Sequence, residues 1–180
     1  AEVSQAPSPD AWGEVDRPKS VAHAHGTPRS ALEDVVIIPF NDPERAEAIL
    51  NEHADEIACV LIDLMPHRVG LRPAETGFVR TLRDWTKRND ALLVLDEVIT
   101  FRSGYAGLPE RSGIAPDLTA LGKMIRGRFP GGALARRAEV MDALNPTAGP
   151  VPHFPHSGPL RAHPLPLTPR PQPTALSGRP

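Results

Sequence analysis

Apolar residues fall in short unbroken runs, separated by stretches where they recur at helical spacing. Val35-Val36-Ile37-Ile38 is a β-branched run closed by Pro39 and predicts a strand. Asn41 or Asp42 then caps a helix, with Pro43 in its first turn and Glu44 just inside. Ala46, Ile49 and Leu50 give that helix one apolar stripe. Ile57 to Leu64, passing through Asp63, predicts a second buried strand, and the Pro and Gly of Met65-Pro66-His67-Arg68-Val69-Gly70 predict a loop. A helix is expected from Pro73 to about Asn89, because Phe78, Leu82 and Trp85 stand at i, i+4 and i+7. Leu92-Leu93-Val94-Leu95 is an apolar run ending in Asp96, the pattern of a strand buried on both faces.

Strand, helix, strand, helix, strand is the order of a doubly wound α/β fold with right-handed crossovers and a mostly parallel sheet. Beyond it, Thr100 to Ala115 reads as a connection, Asp117 to Leu121 as a short strand, and Gly131 to Ala135 as another. Ala138 to Leu144 has a helical face of Val140, Met141 and Leu144.

The ends of the chain differ from this middle. In residues 1–34, Pro7, Pro9, Pro18 and Pro28 interrupt every period, which predicts an irregular segment. Residues 146–180 predict a disordered tail: 151–180 hold no Asp or Glu, prolines recur throughout, and apolar residues appear singly. These two ends hold much of the proline, which is 22 of 180 residues. The expected organisation is an irregular segment 1–34, one domain over 35–145, and a Pro-rich tail over 146–180.

The formal net charge of −2 gives no global reason to expect a nucleic-acid partner or an anionic membrane. No apolar run approaches the ~20 residues of a membrane-spanning helix. The single cysteine, Cys59, rules out a disulfide within the chain and suits a reducing, cytoplasmic setting, and its apolar run predicts a small core residue. The first residue is Ala1 and nothing there resembles a signal peptide, as expected of a processed product or a fragment. His23 and His25 form an H-x-H pair with no further Cys or His at ligand spacing, so no metal site is expected.

The candidate chemistry lies in Asp96 and Lys123. Asp96 falls at a strand's C-terminal end, where open α/β sheets place ligands. Lys123 is set in the Gly-rich segment Gly122 to Gly132. A carboxylate and a lysine brought together there could serve a pyridine-ring cofactor: the amine would hold its aldehyde as a Schiff base and the acid would pair with the ring nitrogen. On spacing alone, a capping Asp and a surface Lys explain the same residues.

The motifs carry a resemblance that favours the first reading. Leu95-Asp96-Glu97-Val98-Ile99-Thr100-Phe101-Arg102 is followed, 27 positions after its Asp, by the lysine of Pro116-Asp117-Leu118-Thr119-Ala120-Leu121-Gly122-Lys123-Met124-Ile125. This pair, within about residues 32–145, resembles the class-III aminotransferases that use pyridoxal 5'-phosphate, and among them glutamate-1-semialdehyde 2,1-aminomutase. The resemblance implies part of the large domain of a fold-type I transferase, a small amino acid or amino-aldehyde substrate, and a homodimer with sites at its interface. It implies that Asp96 holds the protonated pyridine nitrogen, that Val98 packs on the ring, and that Lys123 forms the Schiff base and later moves a proton. Asp63-Leu64 stands where the family has Glu-Pro.

The chain also departs from the family. Arg126 and Arg128 stand among the glycines expected after the lysine. Pro155-His156-Ser157-Gly158 suits the approach to the family's Thr-Phe-Ser-Gly-Asn-Pro motif, but Pro159-Leu160-Arg161 follows, as a change of reading frame near residue 158 would produce. No phosphate-cradling loop is visible before residue 34. The alternative expectation is therefore a truncated, inactive remnant with weak or no cofactor binding.

Overall fold

The computed structural model describes residues 9–22, 24–104, 107–108, 113–126, 131–136 and 138–142. The disordered-tail expectation for 146–180, Arg128, and the Pro155 to Arg161 departure lie outside the described residues. Before the main sheet come a two-residue hairpin of β1 (Gly13–Glu14) and β2 (Arg17–Pro18) and a short helix α1 (Arg29–Glu33).

Helix α2 (Pro43–Glu52) begins where two signals coincide. Asp42 is its N-cap, with the side chain accepting from the Arg45 N–H at 3.2 Å, and Pro43 supplies a helical φ where no N–H is needed. Arg45 also donates to the other Asp42 oxygen at 2.7 Å, and that side-chain hydrogen bond is the main cause holding the Asp42 carboxyl below its usual range. Asn41, the other candidate cap, does something else. Its amide donates to the Pro73 carbonyl at 3.0 Å and accepts from the Glu75 N–H at 2.8 Å, tying the start of the next helix to the start of α2.

That next helix, α3 (Thr76–Arg88), lies between β3 (Cys59–Ile62) and β4 (Leu92–Asp96), which pair in parallel. Its stripe of Phe78, Val79, Leu82 and Trp85 is buried against Val60, Ile62, Leu93 and Leu95, together with Ala46 and Leu50 of α2. Trp85 keeps its indole N–H satisfied by donating to Asn51 Oδ1 at 2.8 Å, and Phe40 meets Phe78 edge to face at 5.7 Å. Each such fully buried side chain contributes roughly 1.5–3 kcal/mol of transfer free energy. β5 (Leu118–Leu121) pairs parallel to β4, and β6 (Ala133–Arg136) pairs antiparallel to β5, giving the order β3-β4-β5-β6. A last short helix, α4 (Ala138–Met141), follows. The α/β class and the mostly parallel sheet are as expected.

Three expectations from the sequence are corrected. Val35 to Ile38 does not form a strand: a strand requires a paired neighbour, and among the described residues this segment pairs with none. Ile38 instead packs onto the edge of the core. β3 and β4 are not buried on both faces. Along β3 exposure alternates, and Leu61 is 62% exposed while Val60 and Ile62 are buried. Cys59 shares the face of Leu61 and is exposed, not a core residue. An unbroken apolar run says that both faces could be covered; only α2 and α3 cover one.

Candidate functional site

β3, β4 and β5 are parallel, so their C-terminal ends meet at one edge of the sheet. Asp96 is the last residue of β4, and Asp63 follows β3 directly, beside it, because Ile62 stands opposite Leu95. Both acids turn their own chain out of the sheet in the same way. Asp63 Oδ1 accepts from the Met65 N–H at 2.8 Å, and Asp96 Oδ1 accepts from the Val98 N–H at 2.9 Å. Asp96 Oδ2 takes no hydrogen bond from a described residue, so one oxygen is left for a ligand's N–H.

Alternation along β4 sends neighbouring acids opposite ways. Asp96 projects with Leu92 and Val94 to the open face; Glu97, next in line, is 1% exposed. Glu97 accepts from the Thr100 hydroxyl at 3.0 Å and from the Leu108 N–H at 3.3 Å, which fastens the loop after β4. Burial pushes its carboxyl above the usual carboxylate range against the lowering effect of those bonds, and the charges of Asp63 and Asp96 push the same way as burial. Asp63 is also raised, chiefly by burial. The Met65 N–H opposes that shift, Asp96 adds to it, and His67 and Lys123 oppose it. Lys123 therefore lies within electrostatic reach of Asp63 at this corner of the sheet.

Lys123 sits two residues past β5 at the start of a 3-10 turn, Lys123–Arg126, with its side chain exposed. Its φ of 42° is left-handed, which is uncommon for a residue with a Cβ and costs of order 1–3 kcal/mol. Gly122 before it packs closely under Val98: a Cβ there would stand 3.3 Å from both of its γ-methyls, which would have to give way by a few tenths of an ångström. Since Asp96 stands opposite Ala120, the contact of Val98 with Gly122 closes the gap between the β4 turn and the lysine turn.

Asp96, Val98 and Lys123 thus occupy one edge of the sheet. The arrangement offers a carboxylate oxygen, an apolar side chain and a solvent-facing amine on adjacent strand ends. These residue types fit a pyridoxal group, whose ring nitrogen needs an acceptor and whose aldehyde needs an amine. Among the described residues no cluster of His, Cys, Asp or Glu could hold a metal ion, and no helix is long and apolar enough to cross a membrane.

Sequence reasoning missed the roles of Glu97 and of Asp117. Asp117, just before β5, is buried and makes a two-pronged ion pair with Arg83 of α3. An acid among apolar residues before a strand was the available signal; its partner, 34 residues away, was not.

The class-III aminotransferase family matches residues 19–165. The chain belongs to that family. It is 38% identical over 132 residues to glutamate-1-semialdehyde 2,1-aminomutase of Methanocaldococcus jannaschii, covering 71% of this chain and 31% of that protein. Among solved structures it is similar to an omega-transaminase from Sphaerobacter thermophilus, with 43% identity and a TM-score of 0.78, covering 88% of this chain and 35% of that one. It is also similar to a transaminase with PLP bound, with 41% identity and a TM-score of 0.73, covering 76% and 32%. Pyridoxal 5'-phosphate is thus the cofactor of the class-III fold to which these strands belong. The chain spans about a third of the length of the relatives it matches.

Proposed function

We propose that this chain carries the lysine and ring-nitrogen side of a pyridoxal-phosphate site, in a transaminase or aminomutase acting on a small amino acid or amino-aldehyde. The β4–β5 register carries the reading, since it sets Asp96 opposite Ala120 with Lys123 three residues on. When bound, the cofactor supplies an electron sink for the substrate's α-carbon. Asp96 would accept the hydrogen bond of the protonated ring nitrogen through Oδ2, its Oδ1 being held by Val98. Val98 would bound the ring on one side. Lys123 would hold the aldehyde carbon through its amine and, once displaced by substrate, would move a proton as base and then acid. Similarity to both an aminomutase and an omega-transaminase supports the shared chemistry and leaves both amino-transfer outcomes within the proposal.

A second reading rests on the coverage of about a third of the relatives: the chain alone would bind the cofactor weakly or not at all. The chain has three lysines, Lys19, Lys87 and Lys123, which makes the test direct. Pyridoxal phosphate is added, the visible band is recorded, borohydride reduces the adduct, and peptide mass spectrometry maps the label. The expected result is label concentrated on Lys123 and a band lost in Lys123→Ala. A band and label that survive Lys123→Ala unchanged refute the lysine assignment; no band at all supports the second reading.

A further inference from the structure

We infer that Arg83 and Asp117 are positioning residues for the Lys123–Asp96 pair: they lock the foot of β5 in the one register that brings Gly122 and Lys123 to the Asp96–Val98 turn. The inference rests on the proposed cofactor site for its chemistry, and on β5 itself for its geometry.

β5 needs such a lock. Leu118-Thr119-Ala120-Leu121 has no alternation of apolar and polar residues, and all four are half-buried. Register is weakly specified where side chains do not distinguish the two faces. A slip of one residue would turn every β5 side chain over, and a slip of two would put Ala120 or Met124 where Gly122 now meets Val98.

The lock acts at the opposite end of the strand from the site. Asp117 and Leu93 exchange bonds across β4 and β5: the Asp117 N–H donates to the Leu93 carbonyl at 2.9 Å, and the Leu93 N–H donates to Asp117 Oδ2 at 2.9 Å. The carboxylate thus satisfies a ladder N–H and simultaneously holds Arg83 in two bonds, Nη1 to Oδ2 and Nη2 to Oδ1, the latter 3.2 Å. Both side chains are well buried, at 12% and 6% exposure. In a shifted register the carboxylate would leave the Leu93 N–H, and one buried charge would lose its partner. β5 is therefore pinned by charge at its foot and guided by shape at its head, where a side chain in place of Gly122 would press on the Val98 methyls.

The test removes both charges together, because a lone buried charge would unfold the chain for an unrelated reason. The double variant Arg83→Met, Asp117→Leu is compared with the native chain in two ways. Without cofactor, the proton contact between the Val98 methyls and the Gly122 α-protons is read by NMR; it is expected to be lost or replaced. With pyridoxal phosphate and borohydride, the ratio of label on Lys123 to that on Lys19 and Lys87 is expected to fall about tenfold or more, while the circular dichroism of the fold is kept. A folded double variant that keeps the Val98–Gly122 contact overturns the inference. If the double variant does not fold, Asp117→Glu serves: it keeps the charge for Arg83 but moves the carboxylate off the Leu93 N–H. Unchanged contact and unchanged labelling in that variant overturn the inference equally. A native chain with no preference for Lys123 sinks the cofactor reading alone, since the proton contact still decides the register.

Discussion

Along β3 and β4 the two faces of the sheet are built from the same apolar runs and end up in different conditions. One face, with Val60, Ile62, Leu93 and Leu95, is closed by α2 and α3. The other carries Cys59, Leu61 and Leu134, the last two 62% and 49% exposed, and it is the face from which Asp96 projects. Parallel sheets are ordinarily covered on both faces. The closed face holds the fold together; the open one carries Asp96, the candidate site acid, and apolar side chains that the described residues leave exposed. Stability and candidate chemistry are thus divided between the two faces of the same strands, residue by residue.

Neighbouring substitutions should therefore differ sharply. Leu93→Ala removes a fully buried side chain between α3 and the strands and is expected to cost roughly 2–5 kcal/mol. Leu61→Ala, on the strand beside it but on the open face, should stay within about 0.5 kcal/mol of the native chain. Urea unfolding of the two variants at one pH makes the comparison. Equal losses would mean that the open face is covered in solution, by a second copy or by another part of the chain.

Cys59 reports on the same question without an energy measurement. It is the chain's only thiol and lies on the open face, so a thiol reagent should titrate one equivalent in the folded protein within minutes. The sequence pointed the other way, because Cys59 stands in an apolar run and cysteine is usually buried there. Slow reaction that needs denaturant would return Cys59 to the interior and erase the contrast between the faces.

What could be read in advance follows from where each determinant lies. α2 and α3 were legible because their stripes and the Asp42–Pro43 start are local. β4 and the two ends of the candidate site were legible because the motif spacing survives folding: Asp96 and Lys123 do come to one edge of the sheet. Coverage was not legible, since an apolar run says nothing about which elements arrive to bury it. Nor was the Arg83–Asp117 pair, whose members are joined only when α3 packs across the strands. The left-handed backbone at Lys123 was hidden as well, since nothing in lysine's own preference announces it.

The smallest effect expected is a slope rather than a loss, and it belongs to Glu97, the buried acid next to Asp96. Glu97 points into the closed side, and burial raises its carboxyl above the ordinary value of 4.5 in the folded chain. The folded state therefore holds that proton more tightly than the unfolded state does. Its contribution to stability is complete below about pH 4.5 and is lost as pH rises through the raised folded value. Glu97→Gln keeps the shape and an acceptor for the Thr100 hydroxyl, yet has no proton to lose. Melting temperatures measured at pH 4.5, 5.5 and 7 should show the variant close to the native chain at the lowest pH and gaining on it as pH rises. The reverse trend would mean that the hydrogen bonds from Thr100 and Leu108 outweigh burial at Glu97.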